Sequence, residues 1–254
     1  MANQNGFDDL IQDALSLSFS GWDFSMIGDR WKTSEPSWDY PDLARRHMHG
    51  IRSMIDLDTG GGELFSSFAP FPPHTWATES YPPNIPVAKN RLEPLGVQVI
   101  SEYTDAAIPL PDSSLDFILD RHGSYSEGEL MRLLKPGGIF LTEQVGGQNC
   151  IRINQLLQDK VEFQYAYWTK ELITRQLQAA DFDLLSVQEE FPLAEFTDIG
   201  ALVFYLRIIP WQVADFSVEK YRDKLYAIHQ DMLTHGPLQV HDHRILVEAR
   251  KPGW

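Results

Sequence analysis

Short apolar runs alternate with amphipathic segments through the middle of this chain. Five of these runs have the length of buried strands, and strands are predicted at Ser53–Thr59, His74–Ser80, Val97–Glu102, Leu115–Asp120 and Gly138–Val145. Apolar residues recur at helical spacing in two of the intervening segments, Asn84–Leu95 and Ser126–Leu134. Strands that alternate with helices predict a parallel sheet wound by right-handed crossovers.

Helical spacing dominates the two ends of the chain. Further helices are predicted within Phe7–Leu15, Pro41–Ile51, Thr169–Ala180, Ile199–Ile209 and Val218–Leu233, and two further strands at Asp183–Phe191 and His243–Lys251. The tryptophans near the N-terminus, Trp22, Trp31 and Trp38, are expected to pack in the core. We therefore expect one α/β domain over residues 1–254, made of an N-terminal helical cap (1–50), a ligand-binding core (51–191), a helical lid insertion (192–240) and a last strand (241–254).

Charge and cysteine content limit the binding partners and the cellular compartment that we expect for this protein. The formal net charge is -15 and no run of basic residues occurs, which disfavours nucleic acid as a partner because such binding depends on neutralising phosphates. The single cysteine, Cys150, excludes an internal disulfide and suits a reducing compartment. No secretory signal and no apolar stretch of membrane-spanning length is found, so a cytoplasmic protein with no membrane association is expected.

The strongest chemical signal is a glycine-rich turn after the first predicted strand. The run Asp56-Leu57-Asp58-Thr59-Gly60-Gly61-Gly62 leads from an apolar strand into a helix-like segment. Glycine lets the chain turn sharply and lets a ligand approach bare backbone, although a purely structural turn has the same composition. Glu79 closes the next predicted strand, where a carboxylate is placed to accept the hydroxyls of a ribose.

These motifs occur in an order that resembles the class I (Rossmann-like) S-adenosylmethionine-dependent methyltransferases. The family has an acidic residue followed by Gly-x-Gly-x-Gly, an acidic residue at the end of the second strand, and characteristic sequence motifs before the fourth and fifth strands. The corresponding segments are Asp56–Gly62, Glu79, Thr104–Asp116 and Leu133–Gly138. Asp58 departs from the pattern, because it stands where the family has its first glycine. A nicotinamide enzyme would need a further glycine, and Glu63-Leu64-Phe65 follows instead.

The resemblance implies a fold, a cofactor and a set of cofactor-binding residues. The fold is an open, mostly parallel seven-stranded sheet with helices on both faces, the last strand antiparallel, N-terminal helices and a helical insertion before the last strand. The cofactor is S-adenosyl-L-methionine. The residues expected to bind it are Asp56, Asp58, Gly60, Gly61, Gly62, Glu79, Thr104, Asp105 and Asp120. For the adenine contact, alignment favours Thr104 and residue type favours Asp105.

The loops after the fourth and fifth predicted strands should face the reacting methyl group. His122 is the candidate general base, because imidazole titrates near neutral pH. The candidate substrate-binding residues are Arg121, Tyr125, Gln144 and Trp211. Four of these residues have a structural alternative: an internal ion pair for Arg121, backbone hydrogen bonding or lining of the cofactor pocket for His122, loop-backbone hydrogen bonding for Gln144, and core packing for Trp211. The remaining histidines lack cysteine or acidic partners at metal-ligand spacing, so no metal site is predicted.

Three functions remain open at this stage. The first is an S-adenosylmethionine-dependent methyltransferase that acts on a small molecule, which the acidic charge and the helical lid favour. The second is a ribosomal or transfer RNA base methyltransferase, which would need a basic groove beside the site. The third is a non-catalytic cofactor-binding module of the same fold. The sequence leaves the methyl acceptor and the oligomeric state open.

Overall fold

A computed structural model describes residues 2–18 and 25–253 of the chain. Trp22 and part of the predicted N-terminal cap lie outside the described residues. The chain forms two compact units. The sheet unit comprises Ser37–Val145, Thr169–Glu189 and Arg244–Trp254, and the helical unit comprises Met1–Pro36, Gly146–Trp168 and Glu190–His243. The single-domain organisation stays a prediction.

Strands and helices in the described residues are numbered separately in chain order. The strands are β1 (Trp31–Thr33), β2 (Ser53–Leu57), β3 (His74–Thr78), β4 (Val97–Ile100), β5 (Leu115–Arg121), β6 (Leu134–Val145), β7 (Asp183–Glu190), β8 (Leu193–Phe196), β9 (Leu238–His241) and β10 (Arg244–Arg250). The α-helices are α1 (Ala2–Ser16), α2 (Tyr40–Met48), α3 (Glu63–Ser66), α4 (Ile85–Leu92), α5 (Glu127–Leu133), α6 (Ile151–Leu157), α7 (Lys170–Ala179), α8 (Ile199–Ile208) and α9 (Val218–His235). Two 3₁₀ helices lie at Ser25–Arg30 and Glu93–Leu95.

The sheet unit contains a seven-stranded sheet in the order β4-β3-β2-β5-β6-β10-β7. Strands β4, β3, β2, β5 and β6 run parallel to one another, and β10 runs antiparallel to β6. The predicted mostly parallel sheet with an antiparallel last strand is therefore confirmed. All seven strands predicted from the sequence are present, and most of their ends lie within two residues of the prediction. The exception is β6, which starts four residues early, at Leu134, and continues through the predicted Lys135–Gly138 turn.

Burial on both faces explains why the central strands are continuous apolar runs. All five residues of β2 are buried, and β5 has Phe117, Ile118 and Leu119 without exposed surface. Trp38 packs in the same core, as predicted. Helix ends follow ordinary capping chemistry: the Asp39 side chain accepts from the Asp42 N–H at the start of α2, and Thr169 does the same for Leu172 at the start of α7.

The helical unit has its own core and a small sheet. Helices α1, α6, α8 and α9 lie in it, together with an antiparallel sheet in the order β1-β8-β9. The helical insertion between β7 and β10 is confirmed, but it also contains β8 and β9, which the sequence analysis does not predict. Trp31 stacks on Phe196 of β8 and packs against this core, as expected. Among the described helices, none combines the length and apolar character needed to cross a bilayer.

Candidate active site

The predicted site residues of the sheet unit lie where its parallel strands end. Asp56 belongs to β2, Glu79 follows β3, and Asp120 and Arg121 end β5. The register pairs Asp120 with Thr142 and Arg121 with Glu143 on the neighbouring strand β6. The carboxyl ends of β2, β3, β5 and β6 thus form one edge, which is where open α/β sheets bind their ligands.

The glycine-rich turn after β2 needs three left-handed residues. Asp58, Gly60 and Gly62 have φ angles of 49°, 64° and 77°. Asp58 therefore adopts a backbone conformation that favours glycine, which explains why the related motif has glycine there and why aspartate, one of the more tolerant residues, can replace it. A Cβ on Gly62 would lie 2.8 Å from Leu92 Cγ, whereas a Cβ on Gly60 would meet nothing within 4 Å. The backbone at Gly60 is thus bare and faces open space.

The Asp58 side chain joins the turn after β2 to two other loops. Its Oδ1 accepts a hydrogen bond from the Tyr103 hydroxyl, and its Oδ2 accepts from the Ser124 N–H at 3.0 Å. The Ser124 hydroxyl also donates to Asp105 Oδ2 at 2.8 Å. Asp58, Asp105 and Tyr125 all line one small pocket, so the structure brings these three predicted residues together.

Two buried carboxylates lie close to Asp58. Burial raises the pKa of Asp56 to about 7, and the charge of Asp58 adds to this effect. Burial likewise raises the pKa of Asp120 well above its ordinary value, with further contributions from Asp58 and Asp56. None of these three carboxylates forms an ion pair within residues 2–18 and 25–253. The site therefore brings together three carboxyl groups, two of which are disfavoured in their charged forms, and the charge of Arg121 offsets this effect only in part at Asp56.

The loop after β5 packs tightly on these carboxylates. A Cβ on Gly123 would lie 2.4 Å from Asp120 Oδ1 and 2.8 Å from Asp58 Cβ, so only glycine fits there. Gln144 is buried, and its amide nitrogen donates to Asp120 Oδ2 and to the Gly123 carbonyl. Gln144 thus supports the loop through its amide nitrogen, and its predicted role in substrate binding stays a prediction.

Glu79 is buried and held by the segment that follows it. Its Oε1 accepts the Tyr81 N–H at 2.6 Å, and its Oε2 accepts from Asn84 Nδ2 at 3.3 Å. An ionised carboxylate has about four acceptor positions, so two protein donors leave acceptor capacity for a ligand. Thr104, the alternative adenine contact, is exposed and pairs through its backbone with Ala107.

A second group of side chains surrounds Glu143. This carboxylate is 3% exposed, and its Oε1 accepts from Arg121 Nε at 2.8 Å and lies 3.4 Å from His122 Nε2. Its Oε2 accepts from Trp38 Nε1 at 2.7 Å. Although burial acts in the opposite direction, the hydrogen bond with His122 and the charge of Arg121 hold the pKa of Glu143 at about 2. Glu143 is therefore a permanent buried anion with three donors around it.

His122 has an unusual backbone and an unusual pKa. Its φ angle is 65°, and its N–H donates to the Glu143 carbonyl at 2.9 Å. The side chain keeps 30% of its surface exposed, yet crowding by protein atoms lowers the pKa of His122 to about 4. The charges of Arg121 and Arg244 also lower it, whereas Glu143 acts to raise it. The ring is therefore neutral at pH 7, and an Nε2–H directed at Glu143 leaves Nδ1 as the proton-accepting nitrogen.

The remaining predicted residues differ in their surroundings. The Tyr125 ring packs edge-to-face on Phe140, with ring centroids 4.9 Å apart. Trp211 is partly buried and belongs to the helical unit. Within the described part of the chain, no group of histidine, cysteine and acidic side chains has the geometry to hold a metal ion.

The sequence analysis does not identify Glu143, Tyr103 and Ser124 as site residues. The available signal for Glu143 is its position at the end of a predicted strand beside Gln144, but only the β5–β6 register places it opposite Arg121. Tyr103 and Ser124 lie in loops, and no spacing rule reveals that both donate to Asp58.

Comparisons with known proteins identify the fold. No protein-family model and no curated protein sequence matches the chain. Among solved structures, a provisionally assigned methyltransferase from Bacillus halodurans superposes with a TM-score of 0.61 and 19% identity, covering 84% of this chain and 99% of its own. A protein of unknown function from Deinococcus radiodurans superposes with a TM-score of 0.58 and 14% identity, covering 97% of this chain and 99% of its own. The 4+2 cyclase SpnF superposes with a TM-score of 0.52 and 15% identity, covering 99% of this chain and 96% of its own.

These likenesses, together with the strand order, show that the chain has the fold of the class I S-adenosylmethionine-dependent methyltransferases. The predicted resemblance and fold class are confirmed.

Proposed function

We propose that this protein transfers a methyl group from S-adenosylmethionine to a small molecule. One observation carries the proposal: the carboxyl groups of Asp56, Asp58 and Asp120, which form no ion pair within the described residues, lie beside a bare glycine turn at the carboxyl edge of the sheet. The methyltransferase fold supports it.

The charge of S-adenosylmethionine suits these residues. The molecule carries a sulfonium and an amino group, and positive charge favours the ionised form of nearby carboxylates. Asp56 and Asp120 are buried and have raised pKa values, so a cationic ligand would favour their ionised forms beyond what the protein groups around them achieve. The open space above Gly60 lets a ligand lie against the backbone.

The proposed contacts follow the order of the strands. Asp56, Asp58 and the Gly60–Gly62 backbone would hold the amino-acid part, and Asp120, which has no exposed surface, would act from beneath it. Glu79 would accept the ribose hydroxyls through its remaining acceptor positions. Asp105, with Thr104 as the alternative, would contact the adenine.

S-adenosylmethionine supplies an electrophilic methyl group on a positively charged sulfur. The residues of this chain would position the acceptor and take up its proton. Glu143 orients the His122 ring through Nε2, so that Nδ1 receives a proton from an acceptor that keeps one. Arg121, Tyr125 and Gln144 of the sheet unit are the proposed substrate contacts, and a role of Trp211 in substrate binding stays a separate prediction.

Calorimetry with S-adenosylhomocysteine tests the cofactor assignment. Glu79→Gln removes the charge that would receive the ribose hydroxyls, and hydrogen bonds to charged groups contribute about 1.5–3 kcal/mol. We expect Glu79→Gln to bind about 10- to 100-fold more weakly than the wild type. The matched control is Glu102→Gln, which removes an exposed carboxylate nearby and should leave binding unchanged. Equal affinity of wild type and Glu79→Gln would refute the assignment.

Methyl uptake from labelled S-adenosylmethionine separates the function from its alternatives. Uptake by pooled small metabolites supports the proposal, whereas uptake by ribosomal or transfer RNA with a steep salt dependence would support the RNA alternative. The net charge of -15 favours the former. Tight cofactor binding with no uptake would indicate a non-catalytic module. We also propose a cytoplasmic location, which the single buried cysteine suits.

A further inference from the structure

Within the described residues, Arg121 uses one of its three guanidinium nitrogens in a hydrogen bond. Its Nε donates to the buried Glu143, and 40% of its side chain is exposed. In the part of the chain that the structure describes, neither Nη1 nor Nη2 of Arg121 makes a hydrogen bond. The ion pair therefore holds the side chain through Nε and leaves the other two guanidinium nitrogens without a hydrogen-bond acceptor in the described residues.

Arg132 in the same unit shows what a purely structural arginine looks like. Its Nε also donates to a buried glutamate, Glu129, at 2.8 Å. In contrast to Arg121, its Nη1 donates to the Leu110 carbonyl and to Asp112, and its Nη2 donates to the Ile108 carbonyl and to Glu129. Every guanidinium nitrogen of Arg132 thus donates to a protein acceptor, whereas Nη1 and Nη2 of Arg121 are available to a ligand.

Two arginines lie near His122 in an otherwise acidic protein. The charges of Arg121 and Arg244 both act on His122, and Glu143 acts on it in the opposite direction. The charge of Arg121 also acts on the buried Asp56. The cluster also adjoins the glycine turn, because Gly123, two residues after Arg121, packs on the Asp58 side chain. A ligand held at Arg121 would therefore lie next to the proposed cofactor site.

We propose that Arg121 binds an oxyanion of the methyl acceptor, a carboxylate or a phosphate, and that Glu143 is the positioning residue that holds its guanidinium group through Nε. The inference rests on the proposed function only in naming the ligand as the acceptor. The planar edge of a guanidinium matches two oxygens of a carboxylate or phosphate with parallel hydrogen bonds. His122, held by the same Glu143, would then lie beside the bound group and face the reacting end of the acceptor.

The test is an NMR titration of the His122 ring with inorganic phosphate and, separately, with acetate at constant ionic strength. The chain has 8 histidines, and His122→Gln assigns the signal. We expect a saturable shift of the His122 signal in the wild type, and binding at least about tenfold weaker in Arg121→Gln. Arg121→Lys keeps the charge but loses the planar edge, so its binding should be intermediate. The matched control Arg175→Gln removes an exposed arginine of α7 and should bind like the wild type.

Each outcome decides the proposal. A shift with phosphate alone assigns a phosphorylated acceptor, and a shift with acetate alone assigns a carboxylic acid. No saturable shift with either anion, or equal binding in wild type, Arg121→Gln and Arg121→Lys, overturns the anion site. Calorimetry of the wild type with S-adenosylhomocysteine is run in parallel, so loss of the cofactor assignment is distinguishable from loss of the anion site.

Discussion

Replacing Asp56 by asparagine should change how the stability of the protein depends on pH. Asp56 is 9% exposed, and its pKa is raised to about 7 from an ordinary 3.8. Between these two values the folded state holds a proton that the unfolded state has released. The free energy of unfolding therefore falls as pH rises through this window, and it stops falling above pH 7.

The size of the effect follows from the two pKa values. The full difference of about 3 pH units corresponds to roughly 4 kcal/mol. Between pH 5.5 and 8.5 the contribution of Asp56 falls by about 2 kcal/mol, since the unfolded group is already ionised at pH 5.5. Asparagine cannot ionise, so the variant lacks this loss. The charge of Asp56 also raises the pKa of Asp120, so removing it lowers that pKa and acts in the same direction.

Urea unfolding at pH 5.5 and pH 8.5 measures the effect. The wild type should lose about 2 kcal/mol more between these pH values than Asp56→Asn does. The comparison cancels any constant cost of the substitution. Asp223→Asn, at an exposed position of α9, is the matched control and should follow the wild type. Equal pH dependence of Asp56→Asn and wild type would show that Asp56 is not a buried acid with a raised pKa.

Two further substitutions test the glycine turn and the Glu143 cluster. Gly60→Ala adds a Cβ in open space at a φ of 64°, so it should cost about 1 kcal/mol of stability and weaken S-adenosylhomocysteine binding strongly in calorimetry. Gly137→Ala, with a φ of 80° and equally open space, should cost the same stability and leave binding unchanged; equal affinity of both variants would contradict the bare-backbone contact. Glu143→Gln removes the anion shared by Arg121 and Trp38 and should cost about 2 kcal/mol in urea unfolding at pH 7. Because the folded pKa of Glu143 is lowered, its contribution should vanish as pH falls from 4.5 towards 2, and a deficit that is constant with pH would refute the ion pair.

Much of the fold was predictable because local sequence and tertiary structure agree. The central strands β2 and β5 are buried on both faces, and this burial requires the apolar runs that the sequence shows. The small sheet was not predictable, because β1, β8 and β9 have only three or four residues each. Strands that short have too few residues to show the alternation of apolar and polar positions that identifies a strand. The segments with which they pair also lie far away in the chain.

The candidate site was predictable only where one strand or turn contains the signal. The left-handed position of Asp58 follows from its place in the glycine motif, and the structure gives it a φ of 49°. The pairing of Arg121 and His122 with Glu143 depends on the register of two strands, and a shift of one residue would turn Glu143 to the other face. The lowered pKa of His122 depends on crowding that no sequence pattern records.

The contacts of Asp58 have a consequence for how tightly this protein can hold a ligand. Hydrogen bonds to its carboxylate connect three loops, because Asp58 follows β2, Tyr103 follows β4 and Ser124 follows β5. A cationic ligand that competes for this carboxylate must first break these hydrogen bonds. The measured binding free energy is therefore the intrinsic binding free energy less the cost of rearranging those loops. Tyr103, which donates to Asp58 and lines the same pocket, thereby helps to set the concentration at which a ligand binds.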